Sequence, residues 1–491
     1  MGSNSLRDKT MSGFMWMFME RIGAQLVTFI VSLVLARLLM PDDYGIIAIA
    51  QVFINLANIF VTQGLNSSLI QKDKADSEDY STAFYASMAL AIVLYAVLFF
   101  MAPIFAGYYG KEILTPIFRV LGLRLPLGAL NSIQRAYVSR HLQFKKFFFS
   151  TLGGTIISAF VGIGMAIVGL GPWAIVGQYL TNSTIDSIVL WFTVKWHPQK
   201  QFSIAKLKEM FGYSWKILFA SFFNELYLEL RSLIIGRGYT TEDLAYYNRG
   251  KQFPQLFYTN ISSTITSVMF PVMSKQKSNI PLLKKNLNRT IQVSTYILFP
   301  LMAGLIAVAE PLVRVVLTDK WVPCVAFLQA YAFCYAILPI QSILEQVYKA
   351  IGRSDIVLKL FFVEKIVGVL AIIITMQYSV WMIAVGMMVT SAFATLLHIA
   401  PANKSVGYSY IDLLLDVKDS LLLSVIMMVV VWLVTLLKLP MVVELMVQCL
   451  VGATVYLLLS IAFKIPSLKF LIQIANDKLK NKFLYKLEQK L

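Results

Sequence analysis

The sequence predicts an all-α polytopic membrane protein with about fourteen transmembrane helices, arranged as two pseudo-symmetric six-helix lobes and two C-terminal helices. Three observations carry this expectation. Of 491 residues, 58% are hydrophobic and only 14% charged, against about 25% charged in a soluble domain, so the chain lacks the polar surface to coat a globule. Charge-free runs such as Tyr44 to Gln71, Tyr80 to Gly110 and Phe147 to Ile185 recur along it, and about 20 apolar residues cross a bilayer as a helix. The chain also repeats itself. A soluble enzyme, a disordered chain and a single-anchor protein are excluded.

Apolar stretches bounded by charges, Gly and Pro give the first lobe the helix cores 14–39, 45–67, 82–107, 113–138, 148–169 and 172–194. The second lobe has cores 212–236, 252–273, 290–312, 322–348, 357–377 and 380–400, and cores 420–437 and 441–463 follow. With both termini cytoplasmic, the even-numbered loops and the tails hold roughly four times as many Lys and Arg as the odd-numbered loops, as the positive-inside rule requires. One helix more or fewer would invert the assignment downstream and destroy the bias. The net charge of +17 therefore reads as topology, and no nucleic acid partner is expected.

The domain organisation follows: 1–196 as the N-lobe, 197–211 as a cytoplasmic linker, 212–403 as the C-lobe, 404–463 as the last two helices, and 464–491 as a basic tail. In that tail Leu468, Leu471, Ile472, Ala475, Leu479, Phe483, Leu487 and Leu491 recur every three or four residues among seven lysines, the pattern of an amphipathic helix on an anionic leaflet. No cleavable signal peptide is expected, because the first apolar segment carries Glu20 and Arg21 and runs into Pro41. Cys324, Cys334 and Cys449 lie in apolar surroundings without CxxC spacing, so neither a disulfide framework nor a zinc site is expected.

The repeat sets LARLLMPDDYG from Leu35 against IIGRGYTTEDLA from Ile234, pairing Arg37 with Arg237 and Asp43 with Asp243 at an offset of 200. At an offset of 213, Leu125-Pro126 meets Leu338-Pro339 and Arg140 meets Arg353. An even number of helices per lobe makes the repeat parallel, with its axis along the membrane normal. Such a pair of lobes leaves a cleft that rocking opens to each side in turn, which is transporter architecture.

An ionised side chain at the bilayer centre costs about 2.5 to 3.5 kcal/mol on insertion scales, so intramembrane charges need a reason. The acids are Glu20, Asp186, Glu225, Glu229, Glu345 and Glu364; the cations are Arg21, Arg119, Arg124, Arg135, Arg231 and Lys365. Cations of this kind suit an anionic phosphate headgroup, and the acids are candidates for H⁺ or Na⁺ coupling. The alternative is that adjacent pairs such as Glu20-Arg21 and Glu364-Lys365 are interhelical ties or snorkel to an interface. Glu225 and Glu229 share one helical face, with Arg231 turned away. His398, near a helix end, reads as a packing residue. No cofactor, metal motif or Gly-rich phosphate loop is present, and no enzyme activity is expected.

Six motifs in order, LARLLMPDDYG at Leu35, IQRAYVSRHLQFKKF at Ile133, GLGPWAIVGQYL at Gly169, LIIGRGYTTEDLAYYNRGKQFP at Leu233, LTDKWVPCVAFLQ at Leu317 and AIGRSDIVLKL at Ala350, resemble the polysaccharide-transporter branch of the MOP exporter superfamily. Within it they are most similar to Wzx-type lipopolysaccharide and teichuronic acid flippases of the WzxC and TuaB kind. The resemblance implies a MOP/MATE-like fold in a bacterial inner membrane. It implies flipping of an undecaprenyl-diphosphate-linked oligosaccharide by alternating access, among membrane lipids and alongside polysaccharide polymerase and glycosyltransferases. Many relatives carry an acid or amide where this chain has Arg231, so acid-based coupling does not transfer to that position; Arg231 is instead a phosphate contact or a partner of Asp186 or Glu345. A MATE-type drug exporter is the alternative, and a carrier-lipid polymerase is disfavoured by the short outer loops.

Overall fold

The computed structural model describes residues 19, 23–72, 75–141, 143–473 and 476. Glu20, Arg21 and, of the expected tail stripe, Ala475, Leu479, Phe483, Leu487 and Leu491 lie outside the described residues. Among those described there is no strand. In chain order the helices are α1 (Gly23–Leu38), α2 (Pro41–Thr62), α3 (Gly64–Gln71), α4 (Ser77–Tyr109), α5 (Leu114–Leu121), α6 (Arg124–Arg140), α7 (Lys145–Ile167) and α8 (Trp173–Thr193). Then follow α9 (Ile204–Gly238), α10 (Thr241–Lys275), α11 (Ile280–Ala307), α12 (Ala309–Val316), α13 (Cys324–Ala350), α14 (Ser354–Thr375), α15 (Val380–Val406), α16 (Tyr410–Leu433) and α17 (Met441–Ala462).

Eight helical spans among the described residues are long and apolar enough to cross a bilayer. Helices α6, α8, α9 and α14 are not among them, and these four carry Arg124, Arg135, Asp186, Glu225, Glu229, Arg231, Glu364 and Lys365. Length excludes α6, which has 17 residues, and α8 carries a single charge among several amide and hydroxyl side chains.

Contacts divide the chain into two compact units, Met1–Ala245 and Tyr246–Leu491. In the first, α4 packs on α6, α6 on α8, and α9 on α2, α3 and α4. By sequence repeat α9 opens the second half; by packing it belongs to the first unit. The tightest seam is between α7 and α8. Gly154, Ser158, Gly162 and Ala166 recur every four residues on α7 and all are buried, a small-residue stripe that lets backbones approach where lipid offers no hydrophobic drive. A Cβ added at Gly162 would come 2.9 Å from Gln178 Cβ on α8.

In the second unit, α11, α13, α15 and α16 enclose a core containing Leu287, Ile291, Ile343, Leu344, Tyr348, Ile399 and Tyr408. A second cluster joins Tyr296 of α11 to Leu423, Met427 and Val431 of α16 and Tyr456 of α17, whose hydroxyl donates to the Tyr296 carbonyl at 2.8 Å.

The repeat is visible in local structure. The chain breaks between α1 and α2 at Met40 and, 200 residues later, between α9 and α10 at Thr240. Asp43 accepts from the Met40 amide at 2.9 Å and Asp243 from the Thr240 amide at 3.3 Å, the same N-terminal capping chemistry. A Cβ at Gly45 would lie 1.8 Å from the Thr241 carbonyl oxygen, so the first turns of α2 and α10 meet backbone to backbone.

Candidate functional site

Asp186, about two turns from the end of α8, is buried. Its Oδ2 accepts from Arg135 Nη2 at 2.6 Å and from Asn131 Nδ2 at 3.1 Å, both on α6. Asn131 and Arg135 are four apart and share a face, and Arg135 stacks over the Phe147 ring. The Arg135 side chain keeps 43% of its exposure against 7% for Asp186, so the guanidinium bridges a buried carboxylate and an accessible surface. Arg124 lies over the Tyr179 ring with Nη1 3.4 Å from Gln51 Oε1. Arg119, on α5, sits over Phe99 and donates to its carbonyl.

On α9, Arg231 is buried and lies over the Tyr227 ring at 5.5 Å; Glu225 and Glu229 are half-buried. The two acids considered as Arg231 partners are engaged elsewhere, Asp186 by Arg135 and Glu345 by Lys349 at 3.1 Å one turn along α13. Glu345 is thereby a helix-surface tie.

In the second unit Glu364 of α14 meets His398 of α15, Oε1 to Nε2, at 2.5 Å. His398 is 1% exposed, its Nδ1 is buried without a partner among the described residues, and the Tyr348 hydroxyl donates to its carbonyl. The packing role expected of His398 therefore undersold it: it is a buried imidazole on a carboxylate. Lys365, next to Glu364, lies over Phe361 at 5.1 Å. Sequence reasoning also passed over Asp416, buried on α16 and accepting from Gln292 at 2.7 Å, Tyr408 at 3.1 Å and Asn288 at 3.4 Å. The core expected at 420–437 left it outside, whereas the helix begins at Tyr410.

An apolar groove of about 550 Å³ runs between α11, α16 and α17, lined by residues such as Pro300, Gly304, Met427, Gly452 and Leu457. Among the described residues no cluster of three or more His, Cys, Asp or Glu could hold a metal ion.

At the other extreme of polarity, Lys206 of α9 holds Asp76 at 2.6 Å and Glu78 at 2.7 Å, while Lys72 holds Asp79 at 3.1 Å and Glu209 at 3.0 Å. The Lys206 ammonium pulls the Asp76 carboxyl down to about 2, and Asp76 in turn raises Lys206. This network clamps the α3–α4 connection to the start of α9.

Residues 34–326 match the family model described as polysaccharide biosynthesis protein. The chain is a member of that family. Its relatives include the teichuronic acid biosynthesis protein TuaB of Bacillus subtilis, 22% identical over 72% of this chain and 73% of TuaB. Another is the lipopolysaccharide biosynthesis protein WzxC of Escherichia coli, 24% identical over 75% and 76% respectively. Among solved structures, the lipid II flippase MurJ in an inward closed conformation superposes with a TM-score of 0.73 at 16% identity, covering 92% of this chain and 98% of MurJ. This family member therefore has the all-helical MOP fold, as the motifs implied.

Proposed function

We propose that this polysaccharide biosynthesis family member is a flippase, moving undecaprenyl-diphosphate-linked oligosaccharide repeat units from the cytoplasmic to the outer leaflet of a bacterial inner membrane for surface polysaccharide assembly. The observation that carries the reading is the family match over residues 34–326, which spans four of the six motifs in full. On this reading the chain crosses the membrane fourteen times with both termini cytoplasmic, and its 1–196 and 212–403 lobes rock about a central cleft.

The chemistry is consistent with such a substrate. Arg119, Arg124, Arg135, Arg231 and Lys365, with Arg21, are the candidate diphosphate contacts, because guanidinium offers fixed paired donors to phosphate oxygens. The three of these arginines stacked on Phe99, Tyr179 and Tyr227 keep their charge while shedding water onto a ring face. The α11–α16–α17 groove offers an apolar bed for an isoprenoid tail, whose burial there loses nothing relative to lipid. The ion-coupling candidates are Glu20, Asp186, Glu225, Glu229, Glu345 and Glu364. Glu364 leads them, because it is held by a single imidazole nitrogen where Asp186 is held by a guanidinium and an amide. Polymerase and glycosyltransferases are the expected neighbours in the pathway.

The test is a clean deletion in the host, complemented with wild type, Arg21→Ala, Arg231→Ala or Glu229→Gln at matched expression. A membrane-impermeant sugar probe then reports the leaflet occupied by the lipid-linked unit. The deletion should trap the unit on the cytoplasmic side and the two arginine variants should reproduce the block. If the units still reach the outer face and only drug tolerance changes, the exporter reading replaces this one.

A further inference from the structure

We propose that the end of the second unit formed by the α10–α11 and α13–α14 connections and the C-terminal turns of α15 carries a binding pocket for the phosphate headgroup of an anionic phospholipid. A cavity of about 640 Å³ opens where these three segments meet. Each contributes one cation: Lys277 from the first, Arg353 from the second and Lys404 from the third. No local sequence pattern brings them together, since 76 and 51 positions separate them. Among the described residues Lys277 and Lys404 make no ion pair, and only Arg353 has an acid beside it, Asp355, at 2.8 and 2.9 Å. The lining thus keeps an excess of positive charge, with one acid, Asp355, beside three cations.

The rest of the lining identifies the class of anion. Ile280, Ile351 and Ile356 form an apolar wall beside the cations. A free hydrated phosphate gains nothing from isoleucine, whereas a lipid presents a phosphate joined to glycerol and methylene groups that cover such a wall. All three segments belong to the loops that the positive-inside count assigns to the cytoplasmic face, where anionic lipid is encountered and where basic pockets between helices bind such headgroups. The neighbouring basic cavity on the other flank of α11, about 520 Å³, makes a useful contrast. There Lys284 is taken by Asp412 at 3.0 Å and Arg289 lies 3.5 Å over the Phe470 ring, so two of its three cations already serve the protein.

The experiment uses the purified full-length chain in detergent, titrated with phosphatidylglycerol or with phosphatidylcholine of the same acyl chains, bound lipid being counted by native mass spectrometry. Phosphatidylglycerol should bind at concentrations where phosphatidylcholine does not. Lys277→Gln/Lys404→Gln should weaken it about thirtyfold, from the usual gain per cation near an anionic headgroup. Lys277→Arg/Lys404→Arg should restore binding and shows that the pocket folds. The charge-matched control Lys418→Gln/Lys438→Gln, at exposed lysines outside the pocket, should bind as wild type. The proposal is overturned if both lipids bind alike or if the Gln pair leaves affinity unchanged. Displacement of the lipid by millimolar inorganic phosphate, dependent on the same two lysines, would also overturn it by making this a free-anion site. Because the readout is lipid retention rather than flipping, its failure is separate from failure of the flippase reading.

Discussion

Each unit sets a carboxylate between helices, buried in the first and part-exposed in the second, and the two give it different partners. In the first, Asp186 faces Arg135 and Asn131, a guanidinium whose fixed fork of donors suits a carboxylate and a neutral amide. In the second, Glu364 faces His398, an imidazole that is almost wholly buried. The first contact is an ion pair whose guanidinium stays part-exposed; the second is a single contact to a buried ring. The same problem, a carboxylate that lipid cannot solvate, is met by a guanidinium in one unit and by an imidazole in the other.

The largest expected effect breaks the ion pair. Asp186→Ala leaves the Arg135 guanidinium without its anion, and removing one partner of a buried pair costs about 3 to 5 kcal/mol. Because Arg135 is partly exposed, the low end of that range, about 3 kcal/mol, is expected, read as a lowered unfolding midpoint in detergent. Asp186→Asn, which keeps a hydrogen-bond acceptor for both donors, should lose less than half as much. Equal losses from the two variants would show that shape rather than charge holds α6 to α8.

A middle-sized effect sharpens the contrast through function. On the proposed coupling role, His398→Gln and Glu364→Gln should slow translocation at matched expression while stability falls by only about 1 to 2 kcal/mol, the cost of one buried hydrogen bond. Asp186→Asn should slow it less. Translocation that survives both second-unit substitutions would remove His398 and Glu364 from the coupling step and leave them as packing partners.

How much of this could be read from the sequence follows from the range of the interactions. The α1–α2 and α9–α10 breaks were legible because capping is local: Met40 to Asp43 and Thr240 to Asp243 span three residues, and the repeat showed both. The membrane class was legible from composition alone. Asp186 was singled out by its cost in lipid, but its partner was not, since Arg135 lies 51 residues away on another helix and no periodicity links them. His398 was set aside because its position near a helix end is the only thing a single sequence reveals; burial against α14 and α13 is a tertiary fact. The pocket of Lys277, Arg353 and Lys404 is of the same kind, three loop cations made into a site only by the fold.

The smallest effect lies outside the membrane and sets the baseline for the other two. The Lys206 ammonium holds Asp76 down to about 2, below the ordinary carboxyl value. A depressed carboxyl stabilises the folded chain fully above its unfolded pKa and loses that contribution as pH falls through the folded one, so this term is present at pH 5 to 8 and fades between about pH 4 and 2. Lys206 is raised above its usual value, and its contribution is lost only in strong alkali. With Asp76 62% exposed, solvent screening limits the pair to under about 1 kcal/mol. Asp76→Asn should therefore lower the unfolding midpoint slightly and by the same amount at pH 5.5 and 8. A shift that differed between those two pH values would mean that the Lys206 network titrates in that range and is no constant baseline for the variants of the two units.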